Sequence, residues 1–173
     1  MTLSRRPWLY FGPAAVLAAA AGIALTLTSD HEEHPGYTVA LALFVSMSFI
    51  FAGLVGWTRR PTNRTGMLMV AVGFGVLATS LWEANHSIPF TLGELVGSLF
   101  IAVFLHLLLA YPSGRLISRW GRMLVGAAYA TALLAPLFDS MFPERATCKP
   151  HACPDNLVLV SHNHAAHVAE TAV

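Results

Sequence analysis

Residues 37–66 read YTVALALFVSMSFIFAGLVGWTRRPTNRTG. The first 21 of them carry no Asp, Glu, Lys or Arg, and the next eight carry three arginines, Arg59, Arg60 and Arg64. At ~1.5 Å rise per residue, a helix of that length covers the roughly 30 Å hydrocarbon core of a bilayer. The stretch therefore predicts a transmembrane helix that ends in a basic turn. Four other stretches have the same character: Trp8 to Thr28, Gly66 to Trp82, Leu95 to Tyr111, and Met123 to Phe138. All nineteen charged residues of the 173-residue chain fall outside these five stretches. A soluble globule would need amphipathic helices with a charged face toward water, and five uncharged runs in so short a chain leave no such layer. The 55% hydrophobic content and mean hydropathy of +0.61 agree. The expected fold is all-α, a polytopic transmembrane bundle of about five spans.

Charge sign then predicts orientation. Arg5 and Arg6 precede the first span, Arg59, Arg60 and Arg64 follow the second, and Arg115, Arg119 and Arg122 separate the fourth and fifth. These segments share one side, and all nine acids (Asp30, Glu32, Glu33, Glu83, Glu94, Asp139, Glu144, Asp155, Glu170) lie on the other. The positive-inside tendency places the amino terminus in the cytoplasm, and five crossings place the carboxyl terminus outside. The expected location is a bacterial cell (inner) membrane, multi-pass, with residues 1–142 as the bundle and 143–173 as an extracytoplasmic tail or loop rich in Cys and His. Trp8, Trp57, Trp82 and Trp120 stand at predicted span ends, where an indole sits at headgroup level. Arg5 and Arg6 before an apolar run also fit a cleaved signal peptide, although the 21-residue run exceeds the usual h-region of about 7–15. A net charge of +1 supports no nucleic-acid partner.

The basic turns have further detail. RRPTNRTG (residues 59–66) and YPSGRL (residues 111–116) each place a proline just past a span, followed by arginines. Pro61 and Pro112 stop the helices, and Arg59, Arg60, Arg64, Arg115, Arg119 and Arg122 are placed to contact lipid phosphates. The two segments resemble parts of the amino-terminal membrane domain of certain actinobacterial sensor histidine kinases, which show R-R-P-x-N-R-x-G before one span and F/Y-P-S-G-R-L after the next. Cys153-Pro154-Asp155-Asn156 is similar to an outer-loop segment of the same domains. The resemblance covers roughly residues 58–156. It implies a signal-input module, and the chain departs from the family in having no phospho-accepting His box, Asn box or Gly-rich ATP lid. An external carboxyl terminus would also require another span before any cytoplasmic kinase region.

Polar residues inside and beside the spans supply the candidate sites. Ala71, Gly75, Thr79 and Glu83 recur every four residues, as do Glu94, Ser98, Ala102, His106 and Ala110, so two small or polar stripes occupy adjacent helices. Tight helix packing explains the stripes, and a Gly93/Gly97 pair adds to it. His106 is the ionisable group placed deepest in the membrane. It reads either as a neutral imidazole bonded to a carbonyl or hydroxyl, or as part of a ligand- or proton-sensing set with Glu83, His86 and Glu94. No second embedded histidine completes a haem site.

Seven of the eight histidines fall on the acidic side. His31, His34, His151, His162, His164 and His167 there either belong to hydrated loops, ligate Zn²⁺ or Cu²⁺, or sense protons. Otherwise no cofactor is expected. Cys148 and Cys153 enclose four residues on the side that permits a disulfide, with a soft metal site including His151 as the alternative. The expected partners are the lipid bilayer and a homodimer mate or larger membrane protein. A sensory input domain is the leading functional expectation. A small assembly or binding subunit and a metal-ion or proton transporter are the alternatives, and no catalytic motif supports an enzyme.

Overall fold

The computed structural model of the chain describes residues 7–30 and 32–141. Among the described residues the structure is helical, without strands: α1 Pro7–Leu27, α2 Pro35–Arg59, α3 Thr65–Thr79 continued by a 3₁₀ turn Ser80–Glu83, α4 Ser87–Gly97, α5 Leu99–Ala110 and α6 Arg119–Met141. Prolines set several of the boundaries. Pro7 and Pro35 open α1 and α2, where a missing N–H costs no hydrogen bond. At the other ends, α2 stops two residues before Pro61 and α5 stops two before Pro112, because the residue preceding a proline is pushed out of the helical region.

Three helical segments are long and apolar enough to cross a membrane: Pro7–Leu27, Pro35–Arg59 and Thr65–Glu83. The distribution of side chains fits such a setting. Ser46 is fully buried at 0% exposure while Phe44, two residues away, is 74% exposed, and Val16, Leu17, Phe51, Leu124 and Leu134 also face outward. In water this would leave a large apolar surface uncovered, whereas in hydrocarbon large apolar groups face lipid and small residues line the contacts.

The expected span Leu95 to Tyr111 is not one helix. The backbone starts at Ser87 and breaks at Ser98 into α4 and α5, with the Ile101 N–H reaching the Ser98 carbonyl in an i→i+3 bond of 3.2 Å. Within α4, Gly93 lies against the 3₁₀ turn, where a Cβ would come within 2.5 Å of the Trp82 nitrogen. The expected pattern of packing is also redistributed. Gly75 does face the next helix, against Phe100, but the most extensive contact is between α2 and α3, where the backbones also approach closely. A Cβ on Gly66 would sit 2.5 Å from the Trp57 nitrogen and 2.7 Å from the Gly53 carbonyl oxygen, and one on Gly73 would sit 2.7 Å from the Ser46 carbonyl oxygen.

Helix α3 is thereby central. One side joins Ala15, Ile50, Leu54, Val70 and Leu77 in a core with α1 and α2; another joins Leu68, Val72, Leu107 and Ala110 in a core with α5. Helix α1 adds aromatic contacts, with Trp8 edge-on to Phe51 at 5.6 Å and Phe11 beside Trp57 at 5.4 Å.

Because the groups facing Gly66 are backbone atoms that cannot swing aside, Gly66→Ala must spread the hairpin. We expect a loss of about 1–3 kcal/mol. Gly126→Ala, where no atom lies within 4 Å of the new Cβ, should be neutral or slightly stabilising. Reversible unfolding in mixed micelles measures both, and equal stability of the two variants would contradict the backbone contact.

Candidate functional site

A helix end leaves carbonyl groups without intrahelical donors. At the end of α1, Asn85 supplies the partner: its Nδ2 donates to the Thr28 carbonyl at 2.6 Å, and its Oδ1 accepts the Asp30 N–H at 3.1 Å. Beside it, the Ser29 hydroxyl donates to Glu83 Oε2 at 3.0 Å. The clasp joins the α1–α2 loop to the far end of α3. It is reinforced where Gly22 meets Ser80, since a Cβ there would fall 2.8 Å from the Ser80 hydroxyl. Glu32 orders the same loop, its Oε1 accepting the His34 N–H at 3.1 Å and the Thr38 hydroxyl at 2.9 Å. His34 and His86 are exposed and occupy the residues just before α2 and α4, with no side-chain capping bond.

His106 faces α6. Its Nδ1 lies 3.4 Å from the Tyr129 hydroxyl, with the rings edge to face at 6.1 Å and 89°. Nearer the break in α4–α5, the Ser98 hydroxyl donates to the Ala132 carbonyl at 3.0 Å. That carbonyl is the one left without an intrahelical N–H by Pro136, four residues on in α6. A hydroxyl from the neighbouring helix thus supplies the bond that proline removes.

The opposite end of the bundle holds a second clasp. Asn63 Nδ2 donates to the Pro112 carbonyl at 2.8 Å, and Asn63 Oδ1 accepts the Thr65 N–H at 2.9 Å. The Thr65 hydroxyl lies between Asn63 Oδ1 (2.8 Å) and the Pro112 oxygen (3.0 Å). Gly114, at φ 69°, closes α5 through its N–H to the Ala110 carbonyl and lies so near Arg64 and Thr65 that a Cβ would be 2.5 Å from the Thr65 nitrogen. RRPTNRTG and YPSGRL, separate punctuation marks in the sequence, form one unit. Arg59, Arg60, Arg64, Arg115, Arg119 and Arg122 surround it, all exposed.

The four residues of the expected sensing set lie on different elements. Glu83 bonds to the α1–α2 loop, His86 precedes α4, Glu94 lies within α4, and His106 pairs with α6. Asn85, Asn63 and Tyr129 were not among the candidates. Among the described residues no three His, Cys, Asp or Glu gather as a metal site. Of the histidines considered as ligands, His34 is described; His31, His151, His162, His164 and His167, together with Cys148 and Cys153, lie outside the described residues. No family model matches the chain, no curated protein matches it, and no solved structure matches its fold.

Replacing Ser98 by alanine strands the Ala132 carbonyl. A loss of about 1 kcal/mol is expected in detergent unfolding, with Ser98→Thr close to wild type. A fully stable alanine variant would show that another group satisfies that carbonyl.

Proposed function

We propose that this chain is a signal-input domain of a bacterial cell membrane, similar to the membrane domain of a sensor histidine kinase, crossing five times from a cytoplasmic amino terminus. α1, α2 and α3 with its 3₁₀ turn supply three crossings, α4 and α5 jointly a broken fourth, and the 23-residue α6 a fifth. The arginine-bearing turns then face the cytoplasm and the Glu83/Asn85 clasp faces outward.

The observation that carries the functional reading is the pair of polar clasps at opposite ends of α3, one binding the α1–α2 loop and the other joining the two segments that resemble the kinase membrane domains. A stimulus that favours an open outer clasp would release one end of α3, and the packed α2–α3 unit would carry the change to the inner turns. This is a population shift between two bundle arrangements. Hydrogen bonds of about 1–3 kcal/mol each make both ends readily switchable.

Strains of the native host carrying Glu83→Gln/Asn85→Ala or Asn63→Ala/Thr65→Ala, at unchanged membrane levels, should shift a shared set of transcripts relative to wild type. Transcript profiling reads the result. Profiles of both variants and of a deletion strain identical to wild type would overturn the signalling reading and leave that of an assembly subunit.

A further inference from the structure

The arginine-rich end carries a second feature that the clasp alone does not require. The segment that follows Gly114 alternates in environment: Leu116 packs against the Leu68, Val72, Leu107 and Ala110 cluster, while Ile117 is 87% exposed and Trp120 is 72% exposed. Arg115 and Arg119 flank Ile117 in sequence, and Arg119 and Arg122 flank Trp120. The clasp brings Arg60 and Arg64 to the same end, because Gly114 lies against Arg64 and Thr65. No Asp or Glu occurs anywhere in residues 34–82 or 95–138, so the sequence provides no acid near these turns to neutralise them.

Large exposed apolar side chains interleaved in sequence with arginines match the boundary where acyl chains meet phosphates. An isoleucine and an indole enter the hydrocarbon edge, and planar guanidinium groups hydrogen-bond phosphate oxygens. We propose that the Gly114–Arg122 segment, with Arg60 and Arg64, is a binding site for an anionic phospholipid, with Ile117 and Trp120 inserted among its chains and the arginines on its phosphate. The lipid holds the α5–α6 turn and the α2–α3 turn together alongside the Asn63 bond, which makes the inner clasp responsive to the membrane's anionic lipid content. The inference rests on the membrane placement proposed above and is independent of the signalling reading, since its test measures lipid and no cellular output.

The full chain in detergent micelles is titrated with phosphatidylglycerol, phosphatidylcholine or inorganic phosphate, and retained lipids are counted by native mass spectrometry. Wild type should retain phosphatidylglycerol about tenfold better than phosphatidylcholine, a preference that weakens as salt rises from about 0.05 to about 0.5 M. Arg60→Gln/Arg64→Gln/Arg115→Gln should abolish the preference. Ile117→Ser/Trp120→Ser should weaken retention of both lipids while preserving it. Equal retention of the two lipids by wild type, a preference insensitive to salt, or a full preference in the arginine variant would overturn the site. Displacement of the lipid by millimolar phosphate would assign the arginines to a free anion and also overturn it. Were the variants to fail to fold, the wild-type selectivity and its salt dependence decide the matter.

Discussion

Two helical backbones touch where Gly66 faces Gly53 and Trp57 and where Gly73 faces Ser46, and the rest of the bundle takes its position from that contact. Lipid and leucine are equally apolar, so burying leucine between helices brings little advantage in a membrane; close approach of small residues brings dispersion contacts that lipid cannot reproduce. The α2–α3 hairpin exploits this along its length. Once α3 is fixed against α2, its remaining surfaces select their neighbours: Val70 and Leu77 share a core with Ala15 of α1, Leu68 and Val72 share one with Leu107 and Ala110 of α5, and Gly75 admits Phe100.

A second constraint acts wherever regular hydrogen bonding fails. Backbone groups in or near hydrocarbon need partners from the protein itself. Pro136 frees the Ala132 carbonyl, and Ser98 answers it from across the interface. The α1 terminus frees carbonyls that Asn85 answers, and the Pro112 carbonyl meets Asn63 and Thr65. These bonds link elements far apart in sequence and therefore fix tertiary arrangement as well as satisfying local groups.

The helical class and most element positions were legible from the uncharged runs and the proline-arginine turns, because length and charge are one-dimensional properties. The outcome for Gly75 followed its four-residue stripe, and the packing of His106 on a hydroxyl followed its chemistry, although nothing in the sequence singled out Tyr129. The break at Ser98 was not legible: Leu95 to Tyr111 contains no proline and only one glycine, and α4 packs against the 3₁₀ turn at Gly93, a contact between residues that the uncharged run does not reveal. The glycine contact between α2 and α3 was not legible either, since Ser46 and Gly53, and likewise Gly66 and Gly73, recur at seven residues, outside the four-residue stripes. Asn63 and Asn85 carry no charge and sit in turns, and their partners lie 49 and 57 residues away, so composition and spacing gave no sign of them.

The contrast between the middle and the ends of α3 bears on how such a bundle would respond to a stimulus. In the middle, backbone atoms of α2 and α3 are in contact, and separating them exposes surface that no flexible side chain can refill. At the ends, amides, hydroxyls and the Glu83 carboxylate hold the loops, the neutral bonds contributing about 1 kcal/mol net and the one to Glu83 about 1.5–3 kcal/mol. A full reversal of a two-state population from about 1:99 to about 99:1 requires roughly 5.5 kcal/mol of differential binding, more than one such hydrogen bond but within the combined effect of a clasp and the groups that replace it. Because Asn63 and Asn85 are uncharged, releasing either asparagine leaves no stranded ion, and the one ionised member, Glu83, parts from a hydroxyl when its bond to Ser29 opens. The asparagines' partners are turn and loop groups that can turn to water or a headgroup. Buried ion pairs at the same places would make an open state far more costly, since each released charge would need a new counterion. The division of labour between glycine contacts and asparagine clasps thus favours motion at the termini of α3 with its centre held.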